Sequence, residues 1–492
     1  MQIETIDNKV NYSENLGEFP LSPIISEWME SILNKPILLR SLTKEHGSTI
    51  NIHHLSSFDK NVDDYRKVFM TYELDGKVYF ARKANKSKAL VKRALESGVG
   101  VDTASREELA QAIELGGGHD NLVLTAAIKT RPMIELALRN NVPIIIDNED
   151  ELILVNDLAN SLGRIAAIGL RLSGFKFKNK KLYSRFGFDV NLDKGWLKRW
   201  FNDDPRFHNL KLIGLHFHLD GYSTAQRAEG ILQSLEFKEY LSVGGQTIRF
   251  LDIGGGILMN YLRDKQQWQD FNSALKQAVF GDRRPLTFGN DGLGYEKNHT
   301  TKSITGNLQT YPYYNDINKT SFLKEILDYT PGFGLDTVAD TIRRNGMQLR
   351  IEPGRSLLDQ VGMTIAKVAH RKKDSNGDWL VGLEMNMSQL RSSSRDFLVD
   401  PYLVYNREPE ETKNTSMYFT GAYCLEQDVI LKRKFTFPGL PGIGDHIAFI
   451  NTGGYMMHFY ETEAHLFALS TNLYCTADRL VDGTSIYRDD QL

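Results

Sequence analysis

The sequence lacks the features that would commit it to a membrane, a disulfide framework or a nucleic acid. Its 492 residues include two cysteines, Cys424 and Cys475, and no CxxC pair, which excludes a disulfide-rich scaffold and a cysteine-based zinc site. No run approaches the roughly 18 consecutive apolar residues of a membrane helix, and Met1–Asp7 does not resemble a signal peptide. The net charge of -3 favours no nucleic-acid or membrane partner. These absences predict a protein of the reducing cytoplasm.

Strand and helix signals alternate along the chain from Lys77 onward. Apolar runs of strand length are followed by amphipathic segments, as at Ser105–Leu115, where a serine cap precedes Glu108 by three residues. The predicted strands are Val78–Arg82, Gly100–Asp102, Leu122–Ala126, Ile144–Ile146, Ile165–Leu172, Leu212–His216, Ile248–Ile253 and Leu349–Ile351. Eight such units in succession predict an α/β fold, a TIM-like (β/α)8 barrel of parallel strands.

The pattern changes after Gly362, where strand signals follow one another without intervening helices. This predicts a C-terminal, mostly antiparallel β domain. We therefore expect an N-terminal segment over 1–65 that partly joins the β domain, a barrel over 66–357 and a β domain over 358–492. A polar stretch without periodicity, Gly289–Thr320, indicates an insertion in the barrel at about 281–335, either a lid or a disordered loop.

Lys83 lies directly after the first predicted barrel strand. The carboxyl ends of barrel strands form the active site in this fold class, and an amine held there can form a Schiff base with a carbonyl cofactor. Pyridoxal phosphate (PLP) is the commonest such partner. Taken alone, a solvated lysine at a strand end is the more probable interpretation, and only the other motifs change that balance.

Two further motifs fit a phosphate-bearing cofactor. Gly254–Gly256 follow a predicted strand, and glycines allow backbone N–H groups to approach a phosphate, although a tight turn after a buried strand is the favoured interpretation of these glycines taken alone. Glu352 ends the last predicted strand, and Arg355 follows three residues later. A carboxylate can keep a pyridine nitrogen protonated and an arginine can bind a phosphate, but an internal ion pair is an equal alternative.

Single residues elsewhere have both structural and functional interpretations. His216 and His218 fall on one face of a strand, but no third metal ligand is evident near them, so no metal is expected. Cys424 is either a proton donor or a small buried hydrophobe. Tyr455, after a glycine pair, is either a phosphate ligand or a structural tyrosine.

In this order, these segments resemble the fold type III PLP-dependent decarboxylases, which include the diaminopimelate and ornithine decarboxylases and have an alanine-racemase-like barrel. The resemblance covers roughly residues 45–485. It implies that Lys83 carries PLP as a Schiff base, that Asp102 lies near that bond, and that His218 stacks on the cofactor ring. It also implies that Glu352 contacts the pyridine nitrogen. The residues that it assigns to the phosphate are Gly254, Gly255, Gly256, Arg355 and Tyr455.

The resemblance places Cys424, Leu425 and Asp428 in a loop that a partner subunit supplies, which implies a homodimer with shared active sites. Arg185 would lie near the substrate. The expected reaction is decarboxylation of an amino acid or an amino-acid conjugate through external aldimine and quinonoid intermediates, with Lys83, His218 and Cys424 as catalytic residues. The alternatives are a PLP-dependent racemase or epimerase, for which Tyr423 would be a candidate base, and a catalytically silent PLP-binding homologue.

The sequence departs from the family pattern at two positions. After the stacking histidine the family usually has a Gly-Ser pair, and its serine binds the phosphate. This chain has Asp220-Gly221 instead. The known decarboxylases have an acidic residue after the cysteine that binds the distal amine of the substrate, whereas this chain has Leu425. These differences predict a divergent subgroup with a different substrate.

Overall fold

The computed structural model describes residues 11–241, 247–407, 413–478 and 485–492. The chain divides into two compact units: a β unit formed by Met1–Phe58, Met259–Asp316 and Leu358–Leu492, and a barrel unit formed by Asp59–Leu258 and Ile317–Leu357. The sequence-based boundaries lie at 65/66 and 357/358, with an insertion at about 281–335. In the structure the segment that leaves the barrel unit is instead Met259–Asp316, and Ile317–Leu357 belongs to the barrel.

Eight parallel strands of the barrel unit close on themselves, as the alternating sequence pattern predicts. Each strand pairs with the next one along the chain, and the last strand, Gln348–Ile351, pairs with the first, Gly76–Ala81, which closes the ring. The strands β1 to β8 are Gly76–Ala81, Gly100–Thr103, Leu122–Leu124, Ile144–Ile146, Ala166–Ser173, Leu210–His216, Phe250–Asp252 and Gln348–Ile351. The predicted barrel is therefore confirmed, with strand ends displaced by a few residues.

Helices connect the strands, and polar side chains cap several of them. The barrel-unit helices are Lys88–Glu96, Arg106–Glu114, Arg131–Arg139, Glu149–Ser161, Lys194–Asp203, Thr224–Leu241, Lys319–Asp328 and Val338–Arg344. Ser105 accepts a hydrogen bond from the Glu108 N–H, as the motif predicts, but the Glu108 carboxylate accepts from Ala104, one residue before the cap. A further helix, Leu55–Thr71, precedes β1 and was not expected from the sequence.

An apolar layer fills the middle of the barrel. Its members, all fully buried, are Tyr79, Val123, Ile145 and Phe250. Gly100 and Gly214 make room for the two rings, since a Cβ on Gly100 would overlap Tyr79 and one on Gly214 would overlap Phe250. Small residues on some strands thus accommodate large residues on their neighbours, which packs the interior as in other barrels of this class.

The β unit contains a mostly antiparallel sheet, as expected. Its strands are Tyr12–Ser13, Ile50–His54, Gly362–Lys373, Trp379–Leu383, Tyr402–Val404, Asn414–Thr420, Val429–Pro438, His446–Ile450, Thr471–Cys475 and Tyr487–Arg488. Two strand pairs are parallel, one of them Ile50–His54 with Thr471–Cys475. The helices Glu27–Leu33 and Pro36–His46 pack on this sheet in a core that includes Cys475.

The segment that joins the β unit has more structure than its sequence suggests. It contains helix Lys265–Phe280 and a hairpin of Tyr295–Asn298 and Ser303–Gly306. Part of Gly289–Thr320, which shows no periodicity in the sequence, is therefore a hairpin, because a short polar hairpin has too few apolar residues to show alternation. None of the described helices is both long and apolar enough to cross a lipid bilayer.

Candidate active site

A charged layer lies at the carboxyl ends of the barrel strands, two residues beyond the apolar layer. Side chains two residues apart share one face of a strand, so the strands of Val123, Ile145 and Phe250 contribute to this rim as well as to the packed interior. The members of the charged layer are Asp102, Thr125, Asp147, Arg171, His216, Asp252 and Glu352. Lys83 follows the first strand in a short 3-10 helix, Arg82–Ala84.

Lys83 and Asp102 form an ion pair at this rim. The Lys83 Nζ donates to Asp102 Oδ2 at 2.8 Å, and the Thr125 hydroxyl donates to the other carboxylate oxygen. Burial and the nearby charge of Glu352 raise the pKa of Asp102, whereas the Lys83 charge and hydrogen bond lower it. The sequence placed Lys83 and Asp102 in one site, and the structure brings the two side chains into direct contact.

His216, Asp252 and Glu352 form a second buried cluster. The His216 Nε2 lies 3.5 Å from Glu352 Oε1, yet neither atom makes a hydrogen bond within the described residues. Burial raises the pKa of Glu352 and, together with the Glu352 charge, raises that of Asp252 well above its ordinary value. Desolvation, followed by the positive charge of Arg171, holds the pKa of His216 well below its ordinary value, so its imidazole is neutral.

This cluster alters the expectation about metal ligands. Sequence reasoning found no third ligand near the two histidines, but folding places ligand atoms of His216, Asp252 and Glu352 within 4.8 Å of one another. His218 lies beyond the end of β6 and is not part of the group. That no metal binds here remains a prediction. Asp252 had no sequence signal beyond its place at the end of an apolar strand.

His218 contacts the glycine loop, defined here as Gly254–Gly256. Its Nδ1 accepts a hydrogen bond of 3.3 Å from the Gly255 N–H, and burial together with the Lys83 charge lowers the pKa of His218 well below its ordinary value. A Cβ on Gly254 would lie 2.6 Å from His218 Nδ1, and one on Gly255 would lie 2.5 Å from the Glu352 carbonyl oxygen. Only glycine fits this loop, which brings its backbone next to both site residues.

Arg171 is a cation of the site that the sequence analysis did not identify. It lies on β5, its Nη1 is 3.6 Å from Asp147 Oδ1, and its guanidinium is 4.0 Å from the Phe186 ring centroid. Arg185, the predicted substrate residue, is exposed and lies over the ring of the same phenylalanine at 3.9 Å. Arg355 follows Glu352 in the turn after β8 and is half-buried. An arginine within a strand is usually interpreted as facing outward, so the sequence did not mark Arg171 as a site residue.

The β unit carries the remaining predicted residues. Cys424 is exposed and Leu425 is half-exposed in a loop whose fold depends on Asp428. The buried Asp428 carboxylate accepts hydrogen bonds of 2.7 Å from the N–H groups of Tyr423 and Met387. Both of its oxygens are thereby engaged, which gives Asp428 the role of holding the Cys424 loop.

Tyr455 adopts a backbone conformation that is unusual for an aromatic residue. Its φ of 70° lies in the left-handed region, which a bulky side chain rarely enters. Residues held in this way concentrate at functional sites and turns. Its ring lies 5.8 Å from that of Phe459, and the side chain is partly exposed within the β unit.

A family of known enzymes matches the barrel region of this chain. The profile of the pyridoxal-binding domain of pyridoxal-dependent decarboxylases matches residues 55–285, which include Lys83, Asp102, His218 and the glycine loop. This region of the chain is therefore a pyridoxal-binding domain of the PLP-dependent decarboxylase type. Its cofactor is therefore pyridoxal phosphate, as the sequence motifs indicate.

Individual relatives are distant. An uncharacterised protein, y4yA of Sinorhizobium fredii, is 28% identical over 90% of this chain and 92% of its own length. Diaminopimelate decarboxylase of Staphylococcus aureus is 22% identical over 85% of this chain and 86% of its own. The crystal structure of diaminopimelate decarboxylase from M. jannaschii superimposes with a TM-score of 0.67 at 18% identity, covering 92% and 91% of the two chains. These values indicate a divergent subgroup.

The residues present fit this cofactor. Glu352 Oε1 is buried without a hydrogen-bond donor in the described chain, as a partner for a protonated pyridine nitrogen would be. Lys83 provides the amine for the aldehyde group, and the glycine loop provides a backbone cradle that any Cβ would obstruct. The neutral ring of His218 is suited to stacking on an aromatic cofactor.

Proposed function

We propose that this decarboxylase acts on an amino acid, or an amino-acid conjugate, whose side chain carries no distal ammonium group. The buried Glu352 Oε1 atom, which has no donor of its own in the described chain, supports a cofactor with a protonated pyridine nitrogen, which this reaction requires. When bound, pyridoxal phosphate supplies a ring that accepts the electron pair left by the departing carbon dioxide. Glu352 holds the proton on the pyridine nitrogen that makes the ring an acceptor.

The other barrel residues position and hold charge around this ring. Asp102 holds the Lys83 amine through a 2.8 Å hydrogen bond, so the nitrogen that binds the cofactor is fixed at the strand end. His218 is neutral and accepts from the Gly255 N–H, which fixes the plane of its imidazole. Arg171 balances part of the negative charge of Asp102 and Glu352. Each of these groups is in place before the substrate binds, which is the condition for electrostatic catalysis.

We propose Cys424 of a partner subunit as the proton donor to the substrate carbon, a role suggested by the family resemblance. The neighbouring Tyr423 is a poor candidate for the second base that a racemase requires. Its hydroxyl lies 3.2 Å from Ser388 Oγ and 3.4 Å from the Thr462 carbonyl oxygen, and its ring packs against His465. This engagement disfavours racemisation.

Leu425 supports the assignment of the substrate class. An ammonium group needs a charge or hydrogen-bond partner when it leaves water, and leucine offers neither. Lysine, ornithine and diaminopimelate would therefore lose a contact at this position, whereas a neutral or apolar side chain would not. The diaminopimelate and arginine decarboxylases among the relatives act on substrates with a distal cation, so a difference in substrate accompanies the difference in sequence.

The first test is an absorbance titration of the purified protein with pyridoxal phosphate, followed by CO2 release from a panel of D- and L-amino acids and amino-acid conjugates. A visible Schiff-base band that borohydride abolishes, with CO2 from neutral but not diamino substrates, is expected. Release only from diamino acids would reject the proposed substrate class. A band without CO2 from any substrate would reject the activity, and no band would reject the use of Lys83.

Leu425→Glu tests the position directly. We expect turnover of lysine or ornithine to increase by about tenfold, because a carboxylate restores a partner for the ammonium group. Gln427→Glu, which places the same charge two residues away in the same exposed loop, is the control and should change nothing. Equal effects of the two variants would mean that Leu425 does not face the substrate.

The shared site is tested by mixing two variants. Lys83→Ala and Cys424→Ala dimers should each turn over poorly, whereas a mixed population refolded together should recover about a quarter of the wild-type rate. Half of randomly assembled dimers are heterodimers, and one of their two sites is intact. No recovery would place Lys83 and Cys424 in the same subunit or remove Cys424 from the site.

A further inference from the structure

Arg227 is a buried cation between two loops at the carboxyl ends of the barrel strands. It lies in the first turn of helix Thr224–Leu241 and is 1% exposed. Its Nη2 donates to the carbonyl oxygen of Gly221 at 2.8 Å, to that of Leu219 at 3.3 Å and, more weakly, to that of Gly255 at 3.5 Å. One guanidinium thus connects the loop after β6 to the glycine loop after β7.

The charge of Arg227 has no counterion in the part of the chain that the structure describes. Its hydrogen bonds there go to carbonyl oxygens, its Nε makes none, and its nearest ring contact is Phe322 at 5.5 Å. Asp220 attracts it only at a distance, since this exposed carboxylate accepts instead from the Gly221 N–H at 2.9 Å. Desolvation lowers the pKa of Arg227 to about 10, so it is still charged at neutral pH. A buried charge of this kind is stabilised by a nearby anion.

The contacts of Arg227 also orient the glycine loop. A Cβ on Gly256 would overlap its guanidinium, so the fit between the two is close. In a trans peptide the carbonyl and the following N–H point in opposite directions. Because the Gly255 carbonyl points toward Arg227, the Gly256 N–H points away from it, and that N–H has no acceptor among the described residues. The loop therefore offers a free backbone donor next to a buried positive charge, which is suited to an anion.

We propose that Arg227 is a positioning residue for the phosphate group of the cofactor, which it serves by orienting the glycine loop and by supplying a buried positive charge. This role compensates for Asp220-Gly221, where the serine hydroxyl of related enzymes is missing. The inference rests on the cofactor assignment within the proposed function and is independent of the substrate. It assigns Arg227 no part in the reaction at the substrate carbon.

The test compares the dissociation constants of pyridoxal phosphate and pyridoxal, which differ only in the phosphate group. Binding is followed by the Schiff-base absorbance of the purified apoprotein. We expect Arg227→Met to weaken the binding of pyridoxal phosphate by about thirtyfold or more, because charge-assisted contacts are lost. The binding of pyridoxal should weaken by less than about threefold. Arg227→Lys keeps the charge but not the planar fork and should lie between these values.

Arg350→Met is the matched control. Arg350 is also a partly buried barrel arginine on an aromatic ring, 3.6 Å from the centroid of Phe250, but it lies on β8 outside the two loops. The Arg350→Met substitution should change the dissociation constants of pyridoxal phosphate and pyridoxal by the same factor. An equal loss of affinity for both ligands in Arg227→Met would show a purely structural role and overturn the proposal. Unchanged affinity for both ligands would also overturn it.

A second measurement uses only the wild-type protein and so does not depend on the folding of a variant. Inorganic phosphate should raise the melting temperature of the apoprotein and should compete with pyridoxal phosphate but not with pyridoxal. Competition with both ligands, or with neither, would overturn the phosphate assignment. If neither cofactor form binds to wild type, the cofactor assignment itself fails, which is a distinct outcome.

Discussion

The apolar layer and the charged layer of the barrel are built from the same strands, two residues apart, and they differ in what they contribute. Val123 precedes Thr125, Ile145 precedes Asp147, and Phe250 precedes Asp252. The first member of each pair is buried among hydrocarbon, which stabilises the fold by roughly 1.5–3 kcal/mol for each large side chain. The second is a polar group removed from water, which costs free energy unless it finds a partner.

The comparison separates stability from function within one barrel. Burial raises the pKa values of Asp102, Asp252 and Glu352, so the folded apoprotein holds these carboxylates in an unfavourable environment. Such groups persist in proteins where they bind or catalyse, and the remaining core supplies the stability that they remove. Changes in the charged layer should therefore lower activity while sparing the fold, and changes in the apolar layer should do the opposite.

The largest expected effect is that of Lys83→Ala in the charged layer. Loss of the amine should lower decarboxylation by about 10⁴-fold, or roughly 5.5 kcal/mol in activation free energy, because no covalent link to the cofactor can form. Steady-state CO2 release measures this effect. Lys92→Ala, an exposed lysine on helix Lys88–Glu96, is the control and should keep full activity. A residual rate above a few per cent would reject Lys83 as the cofactor lysine.

Phe250→Ala tests the apolar layer. Removing this buried ring should lower the free energy of unfolding by about 4 kcal/mol, because a cavity remains between β6 and β8. Urea denaturation monitored by tryptophan fluorescence gives the value. Phe333→Ala, at a fully exposed position of the barrel unit, should cost almost nothing. Equal costs for the two would contradict the packing of the apolar layer.

Glu352→Gln should lower the turnover number by about 10²-fold, or roughly 2.7 kcal/mol, since an amide does not hold a proton on the pyridine nitrogen. The apoprotein should be no less stable than wild type, because a buried charge is removed. Turnover and thermal unfolding measured on the same preparation test both parts. A marked loss of stability with unchanged turnover would reverse the assignment of Glu352 to function.

The smallest effect is expected for Asp252→Asn and concerns pH. The folded pKa of Asp252 lies above its unfolded value, so as the pH rises above about 4 the unfolded state loses its proton first. The folded state then binds more protons, and stability falls with increasing pH. Asparagine keeps the acceptor for the Gly254 N–H and should raise the stability of the apoprotein at pH 8 by about 1 kcal/mol, flattening the profile.

Denaturation curves between pH 4 and pH 8 provide the measurement. Asp157→Asn, at an exposed position of helix Glu149–Ser161, should leave the slope of the profile unchanged. A steeper profile in Asp252→Asn would mean that the Asp252 carboxylate is stabilised rather than penalised by the fold.

The sequence by itself determined the elements that depend on local pattern. The barrel followed from alternating strand and helix signals, and the β unit followed from their change after Gly362. Lys83 and Glu352 were recognisable because each comes just after an apolar strand, and parallel strands bring their carboxyl ends to one rim whatever the details of packing. The glycine loop was visible because only glycine allows that backbone to approach its neighbours.

Tertiary structure alone decided which other polar residues join Lys83, Glu352 and the glycine loop in the site. The strand patterns do not show which of the two alternating faces points inward, and this applies to Arg171, His216 and Asp252. Arg227 lies on a helix, where an arginine is usually solvated. The tertiary fold places Arg227 beneath the glycine loop and seals it from water. Burial and counterion distance depend on residues far apart in sequence, and these set the charge and pKa of each group. Local pattern therefore identified the strands of the site, and packing determined its electrostatics.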